Sequence, residues 1–226
     1  MSTEVWDPFG TLRRVLWIGG GQWAGKSTVA RLLAVRYGLT AYHYDYHDAR
    51  GHNDRRIARR VELGRPPEGP DLEQVWVDTT PADMAEETLA GFPVRFEWAL
   101  DDLRALVSGR PVIAEGWGLR PELVAPIAGS LGQMVVMVPA PAFRDRQLRE
   151  LSRTAFGHEV SDPARAQRNR LERDRLVAED AVRSARRLGI RVIEVDGSQD
   201  AGAVADLVAD HFRPYLPPPE VHDGMS

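Results

Sequence analysis

A doubly wound α/β fold on a five-stranded parallel sheet is what this sequence predicts, and three observations predict it. Five short apolar runs, Val15–Ile18, Ala41–Tyr44, Val112–Ala114, Met134–Val138 and Arg191–Val195, alternate with segments of helical periodicity. The first run leads straight into a glycine-rich turn and then a helix. The gap between the second and third runs is too long for a single crossover, which marks a helical insertion beside the sheet.

The glycine turn is the most specific element. Gly20-Gly21-Gln22-Trp23-Ala24-Gly25-Lys26-Ser27 matches the phosphate-binding pattern G-x-x-x-x-G-K-[ST] at every fixed position. After it, Val29, Leu32, Leu33 and Arg36 follow helical spacing from Lys26 to Tyr37, and Gly38 stops the helix. A dinucleotide reading on Gly19, Gly21 and Ala24 leaves the Gly-Lys-Ser-Thr ending unexplained. The expected fold is therefore of the P-loop NTPase type. Of the 29 Lys and Arg residues, Lys26 is the only lysine. A compact ammonium fits between β- and γ-phosphates, where a planar guanidinium fork has the wrong shape. Loop residues Gly20 to Ser27 are thus candidate nucleotide ligands, with Thr28 backing them at the helix N-terminus and Ser27 offering its hydroxyl to magnesium.

The remaining elements follow in order. Asn53 to Leu63 reads as an arginine-rich helix before the turn Arg65-Pro66-Pro67-Glu68-Gly69-Pro70. Thr80 as N-cap with Pro81 opens a second helix, and Val94 to Val107 reads as a third. The insertion spans about residues 48–109. A lid is expected over about 144–170, where Arg146, Arg149 and Arg153 share one helical face. Asp162-Pro163 then caps a long helix whose later apolar positions face the sheet. Residues 1–213 read as a single domain, and 214–226, with Pro217-Pro218-Pro219, as a flexible tail.

Composition narrows the function classes. With 43% hydrophobic and 27% charged residues over 226 positions, the chain reads as an ordinary globular protein. A net charge of −4 argues against nucleic-acid binding. The chain has no cysteine, which excludes thiolate catalysis and cysteine zinc sites. Neither a signal peptide nor a bilayer-spanning run is visible, so the expectation is a cytoplasmic protein, monomeric or homodimeric, without membrane or nucleic-acid partners.

Two carboxylates stand where chemistry needs them. Glu115 ends the third run beside Gly116, at the ligand edge of an open sheet, where it can hold magnesium through water; a solvated strand-end carboxylate is the alternative. Asp45 ends the second run. It reads as the group that orients an acceptor hydroxyl and accepts its proton. A magnesium-side role and a metal site with His43 and His47 remain alternatives. Continued extension would put His43, Asp45 and His47 on one side, and Asp48 is the substitute should the register differ.

With these residues the chain resembles the small-molecule and nucleotide kinase branch of the P-loop proteins, which includes adenylate, shikimate, gluconate and chloramphenicol kinases. Glu115-Gly116 with Arg120 is similar to the Asp-Gly-Phe-Pro-Arg segment of adenylate kinases, with Glu for Asp and the arginine one residue later. Asp45 lies at the spacing of the substrate aspartate of shikimate-type kinases, with His43 in place of their first aspartate. The resemblance implies ATP with Mg2+, and Arg120 beside Asp45 and Asp48 at the acceptor. It also implies Arg149 and Arg153 closing over the transferring phosphate, and Asp196, Gly197 and Ser198 bordering the base. The implied activity is γ-phosphoryl transfer from ATP to a hydroxyl of a small molecule. A nucleoside or nucleotide kinase is the nearest alternative, with Trp76, Phe92, Phe96 and Trp98 as base-stacking candidates. A nucleotide switch without an acceptor is the alternative of another class.

Overall fold

The sheet is parallel throughout, with strand order β2-β3-β1-β4-β5. The computed structural model describes residues 6–150, 156 and 159–218. Strand β1, Leu16–Gly20, is buried along its whole length and pairs with β3, Val112–Glu115, on one side and β4, Met134–Pro139, on the other. Continuous apolar runs such as Leu16-Trp17-Ile18 suit this position because both faces of a central parallel strand are covered. The outer strands are β2, Thr40–His43, and β5, Arg191–Val195.

Helices cover both faces. Helices α1, Lys26–Tyr37, and α8, Ala201–Phe212, pack on one side over Leu16, Ile18, Val135 and Met137. On the other side lie α4, Pro81–Ala105, α5, Pro121–Val124, and α7, Pro163–Leu188, over Trp17, Ala114 and Val136. The expected caps form. Thr80 accepts from the Asp83 amide with Pro81 at the first helical position, and Asp162 accepts from the Arg165 amide ahead of Pro163. Helix α6, Pro141–Glu150, follows β4.

Three expectations are corrected. First, α4 is one helix of 25 residues that runs through Pro93, where two helices were expected. A mid-helix proline withdraws a donor and crowds the preceding turn. Arg95 folds back along the same turn, with Nε to the Gly91 carbonyl at 3.2 Å and a terminal nitrogen to the Thr88 carbonyl at 2.9 Å. Buried Phe92 and Phe96 pin the same stretch to the core.

Second, the chain does not stay extended past His43. Strand β2 stops where its ladder with β3 stops, at His43 opposite Glu115. A helical turn, α2 (Tyr44–Tyr46), and a π-turn over His47–Gly51 lead into α3, Asn53–Glu62. Third, residues 214–216 are docked. The Tyr215 hydroxyl donates to Ser130 Oγ at 2.8 Å, and Leu216 packs against the α1–α8 core.

The segments expected as insertion and lid touch. A second π-turn, Gln74–Asp78, lies against the start of α7, where Val77, Val160 and Ala166 form a small apolar cluster with Trp76 and Phe156. Asn169 donates to the Trp76 carbonyl, and the Ser161 amide to Glu73 at 2.7 Å. Among the described residues no helix is long and apolar enough to cross a membrane.

Candidate active site

The phosphate-binding loop sits at the carboxyl end of β1, the ligand edge of the sheet. Gly25, at φ +77°, turns the chain into α1, and Trp23 also adopts a left-handed backbone at φ +68°. A left-handed tryptophan is held against a preference of about 1–2 kcal/mol. Alternation of this kind builds the amide concavities that bind anions. Lys26 is 5% exposed, and its ammonium donates back to the Gly21 carbonyl at 2.6 Å.

Ser27, at the start of α1, and Glu115, at the end of β3, are brought together by the β1–β3 pairing. Ser27 Oγ donates to Glu115 Oε1 at 3.0 Å. His43, opposite Glu115 in the β2–β3 register, places Nδ1 2.8 Å from the same oxygen. Glu115 is 1% exposed, and its other oxygen, Oε2, is buried with no hydrogen-bond partner. A buried carboxylate oxygen left unpaired is costly. A hard cation or its water, added there beside the Ser27 hydroxyl, would supply the missing partner, so these two residues fit magnesium.

Asp45 joins the group through α2. Its Oδ1 accepts from the Trp117 amide at 2.9 Å. Burial pushes its carboxyl above the ordinary aspartate value; the Lys26 cation pulls it back, Glu115 adds to the rise, and the Trp117 amide opposes it. This approach explains the glycines after Glu115. At Gly116, with φ +155°, a Cβ would lie 2.5 Å from Tyr44 Cβ and 2.8 Å from Asp45 Oδ1. At Gly118 it would strike the Tyr44 ring. The Glu-Gly-Trp-Gly segment therefore admits the Tyr44–Asp45 turn.

Other expected residues lie elsewhere. Asp48 is buried and paired with Arg95 at 2.9 Å, so it braces the π-turn to α4 within the insertion. Arg120 is corrected from an acceptor ligand to a structural residue. It is 1% exposed, donates to Glu122 at 3.1 Å and to the Val177 carbonyl at 3.0 Å, and pairs with Asp180. It fastens α5 to α7. Phe92 and Phe96 are core residues and are not free to stack on a base. Arg55, Arg56, Arg59 and Arg60 bond respectively to Asp101, the Ala49 carbonyl, Glu62 and the Pro67 carbonyl. Arg149 is exposed at the end of α6, and Arg153 lies outside the described residues.

Asp196, Gly197 and Ser198 form a self-satisfied turn in which Asp196 Oδ1 accepts from the Ser198 amide and hydroxyl. A Cβ at Gly197 would meet Phe143 at 2.5 Å, so α6 closes against this turn. A cavity of about 460 Å3 adjoins the loop, lined by Gln22, Trp23, Val138, Pro139, Leu171 and Asp174 among others; Asp196 to Ser198 do not line it.

Arg173 and Asp174 belong to no motif in the sequence. They pair at 2.7 Å and are 14% and 13% exposed. Arg173 lies over the rings of Trp76 and Trp117, at 5.2 and 5.1 Å. Burial raises the Asp174 carboxyl, while Arg173, Arg170 and Lys26 pull it down. The i+3 and i+4 pattern of charges in α7 gave no sign of this, because the aromatic partners come from two other segments.

Set beside solved structures, the chain is similar to the crystal structure of shikimate kinase from Aquifex aeolicus. The identity is 13%, the match covers 88% of this chain and 96% of that chain, and the TM-score is 0.38. No protein-family model matches the sequence, and no curated protein matches it. On the geometry of its own sheet and loop, the chain has a parallel α/β fold with the glycine-rich loop between β1 and α1.

Proposed function

We propose that this chain is a magnesium-dependent phosphotransferase that moves the γ-phosphate of ATP to a hydroxyl of a small molecule. The observation that carries this reading is the convergence of Lys26, Ser27, Glu115 and Asp45 at the carboxyl edge of β1–β3. In the proposed reaction the loop amides and Lys26 hold the β- and γ-phosphates. Ser27 and Glu115 hold magnesium, which when bound neutralises phosphate charge. Asp45 orients the acceptor hydroxyl and takes its proton as oxygen bonds to phosphorus and the bond to ADP breaks. Arg173, paired with Asp174, which lines the loop-side cavity, is a candidate for the transferring phosphate alongside Arg149 and Arg153. The apolar wall of the loop-side cavity suits the nucleoside better than the closed turn at Asp196–Ser198 does.

Burial of Phe92 and Phe96 weighs against a nucleoside acceptor stacked on the insertion. A pure switch leaves the buried Asp45 beside Lys26 without a task. The test is ATP consumption by the full chain with magnesium across pooled sugars, nucleosides, cyclic acids and antibiotics. Consumption that rises only with a particular hydroxyl compound supports the reading. Equal phosphate release with every pool, tracking instead the loss of a protein partner, favours the switch.

A further inference from the structure

Beyond the phosphate loop, the π-turn after Asp45 gathers three metal-ligating side chains. His47 Nδ1 lies 3.2 Å from Asp102 Oδ2, and His52 Nε2 lies 2.8 Å from the same oxygen. The three ligand atoms are all within 4.8 Å of one another. We propose that His47, His52 and Asp102 form a binding site for a zinc-type divalent transition cation, one protein ligand short of closure. The proposal does not depend on the phosphotransferase reading.

Four observations carry it. The first is spacing. Four ligands about 2.0–2.1 Å from zinc lie ~3.3 Å apart along each edge of their tetrahedron. The His47 distance of 3.2 Å is close to that edge, and the His52 distance of 2.8 Å, a hydrogen bond as it stands, lies half an ångström inside it. The second is the backbone. His47 and His52 are five apart, and the His52 amide donates to the His47 carbonyl at 2.8 Å, the defining bond of the π-turn. On an α-helix residues five apart point well away from each other. The wider π-turn, an element enriched at functional sites, brings both rings to one carboxylate on α4.

The third is crowding at a single atom. The Tyr42 hydroxyl also donates to Asp102 Oδ2, at 2.8 Å, so three polar groups converge on one oxygen. The fourth is access. His52 is buried and fixed, whereas His47 and Asp102 have side chains 36% and 25% exposed, which leaves an entry path and an open coordination position. Gly51 permits the approach, because a Cβ there would lie 3.1 Å from His47 Nδ1. The donor set of two imidazoles and one carboxylate suits zinc and its neighbours and suits magnesium poorly.

The test uses the untagged full chain, dialysed against zinc sulfate at micromolar free Zn2+, with bound metal counted by elemental analysis and Co2+ substitution read by visible absorption. One zinc per chain is expected, with intense Co2+ d–d bands. His47→Ala, a half-exposed position, and Asp102→Asn, which keeps an oxygen acceptor, should weaken zinc binding by at least ~100-fold, since losing even an outer-shell partner costs 10–100-fold. Circular dichroism of each variant shows that the fold persists. Glu115→Gln should leave zinc uptake unchanged. Substoichiometric zinc in the wild-type chain overturns the proposal. So does uptake unaltered in folded His47→Ala and Asp102→Asn, or uptake lost with Glu115→Gln.

Discussion

Ser27 Oγ donates to Glu115 Oε1 at 3.0 Å, joining the first turn of α1 to the last residue of β3 across 88 positions of sequence. The contact exists because β1 and β3 are parallel neighbours, so the loop after one and the carboxyl end of the other open on the same edge. The second oxygen of Glu115 is buried without a partner, which makes this pair the point where magnesium is expected.

Glu115→Gln therefore raises the magnesium concentration needed for half-maximal activity and leaves the fold intact. The amide keeps an oxygen for Ser27 but loses the charge that holds a hard cation. Activity titrated with Mg2+ at fixed ATP, beside a thermal melt, checks this. An unchanged magnesium dependence removes Glu115 from the site.

Asp45→Asn lowers turnover by roughly 10²- to 10⁴-fold, the usual worth of a positioned base, with ATP affinity nearly unchanged. Asp48→Asn behaves differently. It strands Arg95 in a buried pair and costs stability, by about 3–5 kcal/mol where the desolvation is complete and less at this partly exposed pair. Turnover per folded molecule, measured for both variants alongside denaturant midpoints, separates the roles. Normal turnover in Asp45→Asn with loss in folded Asp48→Asn moves the base three residues.

The same carboxyl sets a pH signature. Burial raises the folded pKa of Asp45 above its unfolded value of about 3.9. The stability this contributes is fully present below the unfolded pKa and is lost as pH rises through the folded one. At neutral pH the ionised Asp45 thus costs stability, and Asp45→Asn, which mimics the neutral acid, melts higher than wild type. The gain shrinks as pH falls towards and below ~4. Melting curves from pH 3.5 to 7.5 test it, and a variant less stable than wild type at pH 7 contradicts it. Lower activity with higher stability is the usual trade at a functional site.

How much of this was legible in the sequence depends on the range of each interaction. The phosphate loop, the strands and the caps at Thr80 and Asp162 are local chemistry, and the sequence places them to within a few residues. Val94 to Val107 reads as a helix of its own, whereas α4 runs unbroken through Pro93 because burial of Phe92 and Phe96 in the core, a long-range contact, holds both sides of the proline. Asp45 comes near Lys26 by a route that strand alternation does not describe. The chain turns after His43, and alternation along a strand does not position it. Asp102 beside His47 and His52, and Arg173 between Trp76 and Trp117, could not be found from spacing, since their partners are far apart in sequence.

Arg120 supplies a further prediction of the opposite kind. Arg120→Leu removes one cation and leaves Asp180, Glu122 and the Val177 carbonyl without their shared donor. Breaking such a network costs about 3–5 kcal/mol. Urea unfolding should show the loss, while magnesium and ATP dependence in the remaining folded fraction stay at wild-type values. A folded, stable variant with a raised acceptor KM would return Arg120 to the substrate site.

The lone lysine allows the most direct test of the phosphate loop. Amine-directed reagents meet two strong amines in this chain, the N-terminus and Lys26. Lys26 is 5% exposed and its ammonium is held by the Gly21 carbonyl, so small acylating reagents should label it slowly. Acyl-phosphate nucleotides should label it quickly, because they place the reactive carbonyl where the β- and γ-phosphates bind. Magnesium-ATP should suppress the mass increase at Lys26 and leave that at the N-terminus untouched. Lys26→Arg keeps the charge yet should abolish the adduct and most activity, since a planar fork cannot occupy the position of a compact ammonium. If ATP leaves Lys26 labelling unchanged, or the arginine variant turns over at the wild-type rate, the loop does not hold a triphosphate and the proposed reaction fails with it.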